Sequence, residues 1–316
     1  MNIKESEILI NNVIKNLEDI VPGKSDLIKN VIATLAAGGN ALIEGPPGTA
    51  KTLLAKSIAK LIGGEFRRVQ GNPDILPSDL TGYHIYNMNG DKRFVKGPIF
   101  TNILMFDEIN RTPPRVQSAL LQAMAEFQVS IDGVTYDLNN PFHVIATEVP
   151  SEEEFGTYPL TLTLKDRFWA KFTTNYSDVN NEIEILRKAD MLYIVETPNI
   201  EAIMTFRKYV ELQDSLNYVH ISERLLKYIA EIAAYIRSHE LTQLGPSTRG
   251  SIFLSRISKA LAIIDGRDYV IPDDVKELVD PVLAHRTALN EQATAEDKSV
   301  RDVIKEAINT VEVPKE

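Results

Sequence analysis

The chain contains no cysteine, which excludes disulfides and any thiolate zinc site. Its five histidines, His84, His143, His220, His239 and His285, form no close pair at zinc-ligand spacing, so a transition-metal centre is not expected. No apolar run approaches the roughly 18 residues that a membrane span requires. The start, Met1-Asn2-Ile3-Lys4-Glu5-Ser6-Glu7, carries acidic residues and lacks the apolar stretch of a secretory signal. A cytoplasmic protein is therefore the expectation. A basic excess is missing too: 34 Lys and Arg stand against 44 Asp and Glu, a formal net charge of −10. This argues against broad binding to nucleic acid, which needs a positive surface. There is no internal repeat and no low-complexity segment. What is present is an ordinary globular composition, 44% hydrophobic and 25% charged, over 316 residues. That length suits about two domains.

The most informative stretch is Ala41-Leu42-Ile43-Glu44-Gly45-Pro46-Pro47-Gly48-Thr49-Ala50-Lys51-Thr52. It reads as a buried strand, a Gly/Pro turn and a helix opening at Lys51. Such a turn gathers backbone N–H groups around one concavity, and the helix dipole adds positive potential there. Gly45, Pro46, Pro47, Gly48, Thr49, Ala50, Lys51, Thr52 and Leu53 form the predicted phosphate-binding set. Lys51 suits the β- and γ-phosphates, and the Thr52 hydroxyl suits Mg²⁺. The usual pattern has glycine where Ala50 stands. A methyl there admits a phosphate if φ is negative.

Periodicity places helices over Glu5–Ile20, then over a second segment capped by Ser25 or Asp26 and stopped at Gly38-Gly39. Strands are expected at Ala41–Glu44, Glu65–Gln70, Ile103–Phe106, Phe142–Thr147 and Trp169–Thr174, with helices between them. That alternation predicts an α/β core around a parallel five-stranded sheet. Asn89-Gly90 and Asp132-Gly133 are hairpin signals. From Asn181 the strand signal fades, and helices are expected at Glu182–Ala189, Ile200–Leu212, Ser222–Ser238, Thr248–Asp265, Pro272–Ala284 and Ala295–Asn309. The predicted domains are an α/β nucleotide-binding core over 1–197 and a small helical lid over 198–316. The core carries an insertion at about 72–102 and a hairpin at about 128–138.

Asp107-Glu108 ends the apolar run Ile103-Leu104-Met105-Phe106. Carboxylates at the carboxyl end of a parallel strand face the crevice where such sheets bind ligands. Asp107 suits the metal, through water, and Glu108 suits a base that orients the attacking water. Phe66-Arg67-Arg68 reads as part of a strand rather than a nucleic-acid surface.

Together with the phosphate loop, several longer motifs occur in a recognisable order. They are Leu76-Pro77-Ser78-Asp79-Leu80-Thr81-Gly82, Gly97-Pro98-Ile99-Phe100, Asp107-Glu108-Ile109-Asn110-Arg111, Val116-Gln117-Ser118-Ala119-Leu120-Leu121, Gly156-Thr157-Tyr158-Pro159-Leu160 and Asp166-Arg167-Phe168. In these the chain resembles the MoxR family of AAA+ ATPases, from about Val21 to Leu289. Ala50 is what that resemblance expects. It implies ATP and Mg²⁺ as cofactors and a homo-oligomeric ring, usually a hexamer, with ATP between subunits. It implies that Arg167 is an arginine finger reaching the next subunit's γ-phosphate. It also implies that Arg249, in Gly245-Pro246-Ser247-Thr248-Arg249, touches the γ-phosphate of its own subunit, so that the lid moves with nucleotide state. The insertion and the Asp132-Gly133 hairpin would face the ring pore or a partner, and Val21-Pro22-Gly23 would pass the adenine. The resemblance further implies chaperone-like action on partners with von Willebrand factor A domains and roles in maturing metal cofactors.

One departure bears on rate. The family reads Ala-Thr-Gln-Asn-Pro at its first sensor, and this chain reads Ala146-Thr147-Glu148-Val149-Pro150, with Glu152-Glu153-Glu154 following. Valine cannot hold a water. The expectation is normal nucleotide binding with slow hydrolysis, unless Thr147 substitutes. Two other readings follow: a nucleotide-gated assembly scaffold, which Val149 favours, and a DNA-acting motor, which the acidic balance disfavours. His285-Arg286 is read at most as a subunit-interface pair.

Overall fold

The computed structural model describes residues 1–89, 91–150, 156–187 and 200–314. The chain runs α1 (Ile3–Ile20), α2 (Ser25–Ala36), β1 (Ala41–Glu44), α3 (Lys51–Leu61), β2 (Phe66–Gln70), α4 (Pro77–Thr81), the hairpin β3–β4 (Gly82–Tyr86 and Lys92–Lys96), β5 (Ile103–Asp107), α5 (Pro114–Glu126), the hairpin β6–β7 (Gln128–Ile131 and Val134–Asp137), β8 (His143–Glu148), α6 (Leu162–Lys165), β9 (Ala170–Thr173) and α7 (Val179–Arg187). From Ile200 on it carries α8 (Phe206–Ser215), α9 (Glu223–Ser238), β10 (Thr242–Leu244), α10 (Thr248–Ile264), α11 (Pro272–Leu283), β11 (Ala288–Leu289), α12 (Glu291–Ala295) and α13 (Val300–Thr310).

The central sheet has five parallel strands in the order β2-β5-β8-β1-β9, as the alternation predicts. Its two inner strands, β5 and β8, are buried along their whole length, which is why they read as continuous apolar runs. Strand alternation sorts the side chains. Ile43, Ile103, Met105 and Ile145 pack toward α1, α2 and α3, while Leu42, Leu104, Phe106, Val144 and Ala146 pack toward α5. The same alternation sets Asp107 and Thr147 on the α3 side, at the carboxyl ends of adjacent strands.

Both predicted hairpins form, and they join. His84 on β3 bonds Asp132 through Nδ1 at 2.7 Å and the Tyr136 hydroxyl through Nε2 at 2.8 Å. Phe94 on β4 stacks on Tyr136 with ring centroids 4.2 Å apart. On the insertion hairpin, Tyr83, Ile85, Tyr86 and Met88 are exposed.

The helical lid packs against the backs of α1 and α2. Trp169 stacks on Phe253 of α10 at 4.2 Å, Arg256 Nε donates to Ala37 O at 2.9 Å, and Asn11 Nδ2 donates to Ile264 O at 2.8 Å. Leu17, Ile28 and Leu35 of the core share one apolar cluster with Leu254, Ile257, Leu261 and Leu278 of the lid. A continuous apolar interface resists independent domain motion, so this packing does not favour the hinge expected between core and lid.

Other differences are local. Ser25 is the first residue of α2 rather than its cap, and no side chain caps that helix. The helix expected from Ile200 starts at Phe206, where Thr205 accepts from Lys208 N, because Ile203 N and Met204 N are already bonded to Leu61 O. The last predicted helix is two, separated where Ser299 and Asp302 form a capping box. The lid also holds the small β10–β11 ladder. The boundary expected near Glu196–Asn199, the end of the Glu182–Ala189 helix beyond Arg187, the acidic Glu152–Glu154 and Gly90 itself lie outside the described residues.

Candidate functional site

The turn expected to bind phosphate lies between β1 and α3. A Cβ at Gly45 would lie 2.3 Å from Thr174 O, so no larger residue fits there. Gly48 has open space around it but holds φ +80°, a conformation glycine reaches at little cost. Ala50 departs from the expectation of a negative φ: it sits at φ 60°, ψ 19°, in the left-handed region, and caps α3 with no side-chain hydrogen bond. The first N–H groups of α3 therefore remain available to an anion. For alanine this conformation costs about 1–2 kcal/mol. Ala50→Gly is accordingly expected to stabilise the protein by about 1 kcal/mol, read as a higher denaturant midpoint at unchanged slope. A lower midpoint would contradict the strained geometry.

Lys51 is buried, and its Nζ donates to Gly45 O at 2.8 Å, Pro46 O at 2.6 Å and Thr49 Oγ1 at 3.2 Å. Its ammonium curls back over the loop, where a phosphate oxygen would exchange with these acceptors. Burial lowers its pKa, and the charge of Lys24 adds to that, while Asp107 and Glu108 oppose it. The Val21–Lys24 turn stands close by: Lys24 Nζ bonds Asn175 O, just beyond the end of β9.

Asp107 is the hub. Phe106 pairs with Ala146, so Asp107 and Thr147 come next to each other on adjacent strands. Thr147 Oγ1 donates to Asp107 Oδ1 at 2.7 Å, and Glu108 N donates to Thr147 Oγ1 at 2.8 Å. Thr52 Oγ1 donates to Asp107 Oδ2 at 3.0 Å. A hard cation takes oxygen donors, and Thr52 keeps lone pairs free while its proton lies on the carboxylate. The Thr52–Asp107 pair thus fits Mg²⁺. Arg68, read only as part of a strand, reaches the same carboxylate, with Nη2 2.7 Å from Oδ2. Its signal was available: it alternates with Phe66 on the α3 side of β2, beside β5.

Glu108 adopts φ 54°, ψ 50°, and pairs with Arg111 at 2.9 Å. Val149 is buried, and its backbone is held on both sides by Asn110: Nδ2 donates to Val149 O at 2.8 Å, and Val149 N donates to Oδ1 at 3.2 Å. Glu148 turns to the other face, where Lys171 lies between it and Glu44. Burial alone would lower the Lys171 pKa, but the two carboxylates outweigh it and raise it.

Arg167 and Arg249 are not at the phosphate loop. Trp169 N donates to Asn40 O at 2.8 Å, which fixes Asp166-Arg167-Phe168 before the amino-terminal ends of β1 and β9. The phosphate loop follows the carboxyl end of β1, a four-residue strand of about 13 Å. Arg249, in the first turn of α10, bonds Asp166 Oδ2 at 3.0 Å, and Ser247 Oγ bonds Asp166 Oδ1 at 3.2 Å. Arg249 was expected at the γ-phosphate of its own subunit; in this structure it is paired with Asp166 instead. The lid docks on α1 and α2, and that docking carries Arg249 to Asp166-Arg167-Phe168 at the far end of the sheet. Arg286, read as an interface residue, is buried inside the chain and bonds the same Asp166 at 3.0 Å.

Comparison with known proteins accounts for this arrangement. Residues 40–170 match the ATPase family associated with various cellular activities (AAA), and residues 234–307 match the AAA lid domain. The chain is 39% identical to the uncharacterised protein YeaC of Bacillus subtilis over 97% of its own length and 95% of that protein. It is 35% identical to the chaperone MoxR1 of Mycobacterium tuberculosis, over 96% of this chain and 82% of that one. This chain belongs to the MoxR family of AAA+ ATPases. A crystal structure of a candidate ATPase from Cytophaga hutchinsonii superposes with a TM-score of 0.87 at 39% identity, covering 98% of both chains. The MoxR assignment agrees with the parallel core, the helical lid and the phosphate loop. No helix among the described residues is long and apolar enough to cross a membrane.

Proposed function

We propose that this MoxR protein binds Mg-ATP at the interfaces of a ring, usually a hexamer, hydrolyses it slowly and uses the cycle to remodel a partner protein. The observation that carries this reading is the placement of Arg167 and Lys51 at opposite ends of one sheet. An arginine side chain cannot span that distance within a subunit, so a site that uses both takes Arg167 from a neighbour. Lys51 and the N–H groups of α3 would hold the phosphates, and Thr52 and Asp107 would hold Mg²⁺. The metal, when bound, neutralises charge developing on the phosphoryl oxygens. Glu108 orients and deprotonates water.

The hairpins joined by His84 present Tyr83, Ile85 and Tyr86 outward, a surface suited to a protein rather than to a polyanion. The chaperone MoxR1 supports the same direction. The family resemblance points to a partner with a von Willebrand factor A domain.

Slow turnover follows from Thr147 as well as Val149. A hydroxyl has one proton, and Thr147 places it on Asp107. It has none left for water, so it does not replace the missing sensor amide. Phosphate release from ATP by the assembled protein should be Mg²⁺-dependent and slow, and Val149→Asn should raise kcat about tenfold or more, below the 10²–10³ of one well-placed donor. Fast wild-type turnover, with no gain from Val149→Asn, would remove this explanation. If instead assembly, measured by native mass spectrometry, follows ATP against ADP regardless of hydrolysis, the scaffold reading favoured by Val149 replaces the motor.

A further inference from the structure

Arg286 ends the 3₁₀ turn after α11 and is 4% exposed. Its guanidinium has five N–H donors in a fixed fork, and this chain supplies an oxygen for each. Nε donates to Asp166 Oδ1 at 3.0 Å. Nη2 donates to Asp166 O at 3.3 Å and to Phe168 O at 2.5 Å. Nη1 donates to Trp169 O at 3.2 Å and to Val282 O. Its cation lies 5.1 Å from the centroid of Phe253, which stacks on Trp169. Burial pushes the Arg286 pKa down to about 10 against the pull of Asp166, and it remains charged at neutral pH.

Apart from Val282 O, the acceptors share one feature: they straddle residue 167. The carbonyls of Asp166, Phe168 and Trp169 go to Arg286, and the carbonyl of Arg167 itself takes Asn40 Nδ2 at 3.3 Å. The four consecutive carbonyls around Arg167 are thus all held, three of them by one lid side chain. The Arg167 side chain is treated differently: its Nε is buried with no acceptor among the described residues.

We propose that Arg286 is a positioning residue that holds the backbone of the arginine finger, so that the lid of each subunit aims Arg167 at its neighbour's nucleotide. The inference rests on the reading of Arg167 as a finger acting between subunits. Arg286→Lys keeps the charge but has three donors and no fork, so it cannot hold the three carbonyls together with the Asp166 carboxylate and Val282 O. Misplacement of a catalytic group by about 1 Å costs about 10²-fold, and that is the expected loss in kcat, with KM for ATP and affinity for a fluorescent ADP analogue within twofold of wild type.

Mixed assemblies separate positioning from general damage. A Lys51→Ala subunit lacks a working phosphate loop but keeps its finger. Mixed with Arg286→Lys subunits, which keep their loops, it should restore ATP turnover, as it should when mixed with Arg167→Ala subunits. Recovery with Arg167→Ala but not with Arg286→Lys overturns the proposal, as does Arg286→Lys at wild-type rate. No recovery in the Arg167→Ala mixture breaks the finger reading itself, and the proposal falls with it by a visibly different result. Should Arg286→Lys not fold, Asp166→Asn carries the same test. It preserves shape while weakening the charged grip on Arg286, and it must lose kcat and be rescued by Lys51→Ala subunits. An Asp166→Asn protein with unchanged kcat, or one that is not rescued, overturns the proposal.

Discussion

Arg167→Ala is expected to lower kcat for ATP by about 10³–10⁵-fold while leaving nucleotide affinity within a few-fold of wild type. The reasoning is spatial. Arg167 lies before β9, at the amino-terminal end of the sheet, and its own phosphate loop follows the carboxyl end of β1. Losing the side chain therefore leaves Lys51, Thr52 and Asp107 of the same subunit untouched. On the proposed finger role, what is lost is a guanidinium that stabilises charge on the transferring phosphoryl group, an interaction made in the transition state and not in the bound ground state. Steady-state phosphate release and equilibrium titration with a fluorescent nucleotide measure the two parameters separately. A parallel fall in affinity and rate would mean that Arg167 supports the fold rather than the reaction. An unchanged rate would end its assignment as a finger.

Glu108→Gln should lower the single-turnover rate by about 10²–10⁴-fold, the range for a lost general base, again with binding retained. Glutamine keeps the length and shape of the side chain but cannot take a proton from water. Two features of the site fit this role. The backbone at φ 54° lies where non-glycine residues rarely sit, and such strain persists where surrounding contacts over-determine it. Here those contacts are the Glu108 N–H bond to Thr147 and the Arg111 ion pair. The Glu108→Gln protein would also trap Mg-ATP long enough to count the sites filled per assembly. A variant within tenfold of wild type would return the base role to another group.

Much of this protein is legible in its residues. Gly45 to Thr52 show their strand, turn and helix in the residues, and a Lys-Thr pair at the helix start is the pattern from which phosphate binding is proposed. Continuous apolar runs such as Ile103–Phe106 announce buried parallel strands, and Asp132-Gly133 announces its hairpin. Illegible were contacts between residues far apart in the chain that no periodicity encodes. Arg68 looked like an ordinary strand cation until β2 lay beside β5 and brought it to Asp107. Thr147 looked like a free hydroxyl until β8 lay beside β5 and set its Oγ1 2.7 Å from the same carboxylate. Ala50 looked helical, yet it caps α3 in the left-handed region.

By themselves, then, the residues determined the family, the order of strands and helices along the chain, and the set of side chains proposed for phosphate and metal. These depend on local spacing and on the faces that alternation or helical repeat exposes. Only the tertiary structure decided which end of the sheet each arginine occupies. That depends on where the lid docks, and the lid docks where its apolar face meets α1 and α2. Because it lies there, Arg249 and Arg286 converge on Asp166, with Arg167 between the carbonyls that Arg286 holds, and the subunit's own phosphate loop is out of their reach.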